Sequence, residues 1–166
     1  MKKFLPALLL MMVMSFAASA QTAIYFSEDF SGGMPSDWTI LDRDGLTPHP
    51  NVAAYTGTWT VDLGSTPENR AAISSSWYNP AGVSDDWMIT PGISIPTPAD
   101  PNAKVFLTWY GEAVDPSYPD GYDVRLSTTD TDPASFTETL INVPRENTDG
   151  IYRSLDLSAY AGQRIY

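Results

Sequence analysis

The sequence predicts an all-β fold, a sandwich or barrel of short strands, and three observations carry that prediction. Beyond residue 20 no segment sustains an apolar period of 3.6 residues, so no long amphipathic helix is encoded. Strand-like runs recur instead, at spacings of roughly 8–12 residues. The chain also holds 14 Pro and 11 Gly, which punctuate turns and break helices.

The strands follow in order. Residues 24–30 read as the first, ending at Ser31-Gly32-Gly33, and residues 38–41 as the second, closed by Asp42-Arg43-Asp44-Gly45. Residues 57–63 and 71–75 form the third and fourth, and residues 87–95 the fifth, bent at Pro91-Gly92. Residues 104–110 are apolar on both faces, because Val105, Leu107 and Trp109 alternate with Phe106, Thr108 and Tyr110. That suits a central strand covered on both sides. In residues 122–127, Tyr122, Val124 and Leu126 face one way and Asp123, Arg125 and Ser127 the other, as on a half-buried strand. Residues 136–143 and 151–157 add two more, residues 158–162 read as a turn, and residues 163–166 begin a last strand. Residues 96–103 and 115–121, rich in Pro and Asp, are expected as surface loops. Trp38, Trp87 and Trp109, in apolar strand contexts, are expected in the core.

The first 20 residues have the three parts of a secretory signal peptide. Lys2 and Lys3 precede an apolar run to Ala18, and Ala18-Ser19-Ala20 offers the small residues a signal peptidase reads. The run is shorter than the ~20 apolar residues that span a bilayer, and Pro6 interrupts it. Cleavage after Ala20 removes two bases and no acid, so the net charge moves from −11 to −13 on one domain of residues 21–166. Such a surface repels phosphate backbones and anionic membranes, which excludes nucleic acid as a partner. It attracts divalent cations. With no Cys there is no disulfide framework, and stability must come from the core, to which a bound metal can add.

Catalytic patterns are weak. No thiol nucleophile exists, and the single His49, set between Pro48 and Pro50, has no Gly-x-Ser-x-Gly elbow beside it. A pair of carboxylates for glycoside hydrolysis is uninformative among 20 acids. No phosphate loop, dinucleotide fingerprint or zinc spacing occurs. The chain is therefore expected not to be an enzyme. Asp42-Arg43-Asp44-Gly45 places two carboxylates two residues apart before a glycine turn, as hard-cation loops do. It is not an EF-hand, since Leu46 and Thr47 stand where that loop wants an acid and a glycine. Glu28, Asp29, Asp85 and Asp86 supply further oxygens. The same acids equally suit solvated turns, where Asp is favoured for its own backbone hydrogen bonds. Tyr118 and Tyr122 flank Pro119-Asp120-Gly121, a turn able to present rings to a ligand such as a glycan.

Several stretches together carry a resemblance. They are residues 28–38 (EDFSGGMPSDW), Asp42-Arg43-Asp44-Gly45, residues 86–91 (DWMITP), Leu107-Thr108-Trp109, residues 124–129 (VRLSTT) and residues 155–162 (LDLSAYAG). The chain resembles the cleaved adhesin domain, the module of gingipain and haemagglutinin adhesins, and the related choice-of-anchor J domains. The resemblance implies a jelly-roll β-sandwich with structural Ca²⁺, secreted or on the cell surface, adhering to host proteins, haem proteins or glycans. It also implies export by a type IX route through a C-terminal sorting domain. By position it makes Glu28, Asp42, Asp44 and Asp86 candidate Ca²⁺ ligands. Family members continue past the turn at Gly162 through a further strand and a closing strand with an Asp-Asp-Val-like element. The domain is therefore expected to be C-terminally incomplete, lacking its last strands. Two function classes stay open: an adhesin or binding module, and an accessory domain of a secreted hydrolase or peptidase.

Overall fold

A computed structural model describes residues 22–54, 57–62, 66 and 69–166. The signal peptide expected over residues 1–20 lies outside the described residues. The elements are β1 (Thr39–Asp42), β2 (Thr60–Asp62), β3 (Ala71–Ile73), β4 (Asp86–Ile89), β5 (Ile93–Ser94), β6 (Phe106–Gly111), β7 (Tyr122–Leu126), β8 (Glu138–Val143), β9 (Ile151–Asp156) and β10 (Arg164–Ile165). Single 3-10 turns cover Pro50–Val52, Pro133–Ser135 and Ser158–Tyr160. The fold is all-β, as the turn spacing predicts.

Strands pair antiparallel as β1–β4, β2–β3, β6–β9, β7–β8 and β5–β10. Backbone bonds just beyond these pairs join them into layers. Ser127 and Tyr166 exchange N–H···O=C bonds of 3.3 and 2.9 Å, which sets β10 beside β7. The order β8-β7-β10-β5 is one layer, and β6–β9, extended by Leu157 N–H to the Val105 carbonyl at 2.8 Å, is another. Between them lies the core: Ile95, Leu126 and Ile165 meet Val105 and Leu157, with Ile93, Leu107, Leu140 and Tyr160 packed around them. This is the sandwich arrangement, inner faces interdigitated and outer faces in solvent.

Three expectations are corrected. Residues 24–30 form no strand. The Glu28 carboxylate accepts the Phe30 N–H at 2.6 Å, and the Asp29 carboxylate accepts the Ser31 N–H at 2.9 Å. These local bonds compete with a sheet ladder and turn the chain, with Phe30 at φ 58°. The segment is anchored by its rings instead, Phe26 and Phe30 lying 6.2 and 5.4 Å from the Trp38 ring. Second, the run expected over residues 87–95 divides into β4 and β5, because Pro91 interrupts the ladder. Third, β6 is covered on one face only. Leu107 and Trp109 point inward, while Phe106 and Tyr110 remain 54% and 53% exposed. Large apolar residues on both faces read as core in sequence, yet the outer face here is open and pairs Tyr110 edge-on with Tyr152.

Candidate metal centre and its neighbouring surface

The antiparallel register of β1 with β4 sets Asp42 opposite Asp86 at the end of the ladder. Two residues on, Asp44 returns toward them, because the turn closes through Gly45 at φ 63°, a left-handed conformation that glycine adopts without strain. The Asp42 carboxylate accepts the Gly45 N–H at 2.7 Å. Asp44 accepts the N–H groups of Leu46 at 2.7 Å and of Asp85 at 2.6 Å, which fixes the loop to the start of β4. One carboxylate oxygen from each of Asp42, Asp44 and Asp86 lies within 4.8 Å of the others.

Asp44 and Asp86 are half-buried and Asp42 is exposed. Asp86 Oδ2 accepts from the Tyr78 hydroxyl at 2.8 Å and the Ser84 hydroxyl at 3.0 Å. Its Oδ1 is buried and has no hydrogen-bond partner within 3.5 Å among the described residues. Burial, with repulsion from Asp44 added, holds the Asp86 carboxyl above the usual range of an aspartate. Burial also pushes the Tyr78 hydroxyl up to about 12. A cluster of like charges with an unsatisfied buried oxygen is costly by itself, and a divalent cation removes both costs.

The donor set fits such an ion. Hard cations of the Ca²⁺ type take six to eight oxygens from carboxylates, backbone carbonyls and water. Gly57 borders the cluster: a Cβ placed there would stand 3.0 Å from the Leu46 carbonyl oxygen and 3.4 Å from Asp42 Oδ2. The missing side chain thus keeps open the space beside two hard oxygens. Gly57→Val is expected to weaken Ca²⁺ binding by about tenfold, ~1.4 kcal/mol, as read by calorimetric titration.

Among the predicted ligands, Asp42, Asp44 and Asp86 are brought together, while Glu28 is not part of that group and spends one oxygen on its own turn. Asp85 points away from the cluster. It accepts from the Trp87 indole at 2.7 Å and pairs with Arg43 at 3.4 Å. Trp87, half-buried, stands edge-on to Phe136 with the guanidinium groups of Arg43 and Arg125 each 5.8 Å from its ring.

The two tyrosines of the 118–122 turn differ. Tyr118 is 82% exposed. Tyr122 is turned inward: its hydroxyl donates to Glu146 at 2.6 Å and accepts from the Trp109 indole at 2.9 Å. Glu146 also accepts from Arg153 Nε at 3.0 Å, from a second Arg153 nitrogen at 2.6 Å and from the Asn147 N–H at 2.6 Å. The Arg153 hydrogen bonds hold the Glu146 carboxyl down at about 2, against the opposing effect of burial. Nothing in the spacing of Glu146 and Arg153 announces this group, because the loop between β8 and β9 brings them face to face.

Comparison with known proteins agrees with this architecture. The profile of the Cleaved Adhesin Domain matches residues 23–162. Hemagglutinin A of Porphyromonas gingivalis (strain ATCC BAA-308 / W83) is 27% identical over 179 residues, covering 90% of this chain and 8% of that protein. Lys-gingipain W83 of Porphyromonas gingivalis is 28% identical over 137 residues, covering 75% of this chain and 7% of that protein. The chain therefore spans less than a tenth of these relatives. Among solved structures, the K3 cleaved adhesin domain of Lys-gingipain from P. gingivalis W83 superposes with a TM-score of 0.62 at 23% identity, covering 86% of this chain and 85% of that one. The K1 domain of the same protein gives 0.59 at 23%, covering 83% and 82%. At that identity the likeness carries the fold.

Proposed function

The chain belongs to the Cleaved Adhesin Domain family, and on that premise we propose that it is a non-catalytic adhesive module, secreted or displayed at the cell surface, whose loops are held by Ca²⁺. The observation that carries this reading is the convergence of Asp42, Asp44 and Asp86, where a buried Asp86 oxygen has no hydrogen-bond partner among the described residues. The likeness to Hemagglutinin A supports adhesion to an extracellular protein or glycan. The single His49 is engaged elsewhere than in acid–base work: its ring stacks on Trp77 and its Nδ1 accepts the Asn51 N–H at 3.2 Å. The likeness to Lys-gingipain supports a second placement of the same module, as an accessory domain beside a peptidase. In both placements it binds and does not cleave.

The test is binding of the fluorescently labelled chain to red blood cells, in Ca²⁺ and in chelator. Saturable binding that falls on chelation is expected. Absence of binding in either condition, with the chain folded, overturns the adhesive reading.

A further inference from the structure

We infer that Trp77, backed by His49, is the contact platform of a site for a neutral saccharide. This rests on the adhesive reading above and assigns a place and a ligand class to it. Residues 47–49 and 77–79 run side by side. His49 N–H donates to the Trp77 carbonyl at 2.8 Å, Asn79 N–H to the Thr47 carbonyl at 2.9 Å, and Pro48 bridges Tyr78. Alternation along this ladder drives Tyr78 inward, 4% exposed, onto Asp86 of the metal centre. It sends Trp77 outward, 50% exposed.

The outward ring is held in place. The Trp77 N–H donates to the Ser75 hydroxyl at 3.3 Å, so both its backbone groups are bonded. The His49 ring lies parallel to the indole at 4.1 Å and 7°. Ser76 is tied through both N–H and hydroxyl to Asp120, which brings in the loop that carries Tyr118. Indole surface is seldom left in water, and here the ordering cost of presenting it has already been met in the free protein.

The surrounding groups select the ligand. The apolar C–H face of a sugar ring carries slight positive charge and packs on the negative face of an aromatic. The hydroxyls of a sugar need donors and acceptors of modest strength. Asn51 and Asn79, in the same segments as His49 and Trp77, carry such groups, and with Nδ1 accepting the Asn51 N–H the other His49 ring nitrogen holds a proton to donate. Ser76 bonds each oxygen of Asp120 once, which leaves the carboxylate charged with further lone pairs, so a cationic peptide is the competing ligand and trilysine is its probe. The net charge of −11 opposes an acidic glycan.

Saturation-transfer NMR on the full chain, in Ca²⁺, tests this with methyl β-D-galactopyranoside, methyl α-D-mannopyranoside, N-acetylglucosamine, N-acetylneuraminic acid and trilysine. At least one neutral sugar is expected to bind with a Kd on the order of 1 mM. Its signal should be lost in Trp77→Ala, weakened roughly threefold in His49→Ala, and kept in Tyr152→Ala on the outer β6–β9 face. The Trp77 indole N–H cross-peak, identified by its disappearance in Trp77→Phe, should shift on adding that sugar. If trilysine shifts that cross-peak and the sugars do not, the surface binds protein and the saccharide assignment falls. If neither probe moves it, Trp77 is not a binding platform, whereas red-cell binding still decides the adhesive reading by itself.

Discussion

Glu146→Gln is expected to lower the stability of the domain by about 2–3 kcal/mol at neutral pH, which for a chain this size lowers the melting midpoint by roughly 5–10 °C. Glu146 is 6% exposed and is the common acceptor for Arg153, Tyr122 and the Asn147 N–H. The amide keeps the shape and removes the charge, so the half-buried guanidinium beside it loses its counter-ion. Removal of one partner from a buried pair is more damaging than the pair is stabilising, because the remaining charge stays desolvated. The pH dependence follows from the direction of the shift. The folded-state value of about 2 lies below the ordinary 4.5. The contribution is therefore complete above about pH 4.5 and is lost as pH falls from there toward 2. Denaturant midpoints of wild type and Glu146→Gln should differ at neutral pH and converge near pH 2. A gap of equal size at both values would contradict the account.

Saturating Ca²⁺ is expected to raise the melting midpoint by roughly 5–10 °C. At about a hundred times its dissociation constant, a ligand that binds only the folded state adds ~2.7 kcal/mol, and that energy converts to degrees through the unfolding entropy of a domain this size. The gain arises because the ion neutralises three carboxylates that otherwise repel one another, and supplies a partner to Asp86 Oδ1. A chelator should return the midpoint to its starting value. Without the ion, Asp86→Asn should leave stability unchanged or raise it, since it removes a charge that burial and Asp44 both disfavour. With the ion it should lower stability. That reversal of sign separates a metal centre from a merely acidic turn.

The sequence shows some of this and hides the rest for physical reasons. The alternation of Tyr122, Val124 and Leu126 against Asp123 and Arg125 places β7 correctly, because a half-buried strand imposes a two-residue period. Ser127, expected on the solvent side, is instead buried at 1% exposure where the chain leaves β7 and pairs with Tyr166. The Asp-x-Asp-Gly turn and the Asp before Trp87 are legible as a pair of oxygen sources, and the β1–β4 register joins them. Glu28 misleads because its neighbourhood looks like a strand, while its carboxylate closes a local turn that prevents one. Phe106 and Tyr110 mislead in the other direction, since aromatic character does not say which face of a strand meets solvent. Glu146 and Trp77 leave no pattern at all. One acts through contacts made across a loop, and the other through an exposure that only the ladder of residues 47–49 with 77–79 determines.

Calorimetric titration of Ca²⁺ into the wild-type chain and into Asp86→Asn tests the metal centre most directly. One saturable site per chain is expected in the wild type, with binding at least tenfold weaker in the variant. Equal affinities in the two proteins, or no binding to either, would contradict the assignment of Asp42, Asp44 and Asp86 as the ligands that hold this module together.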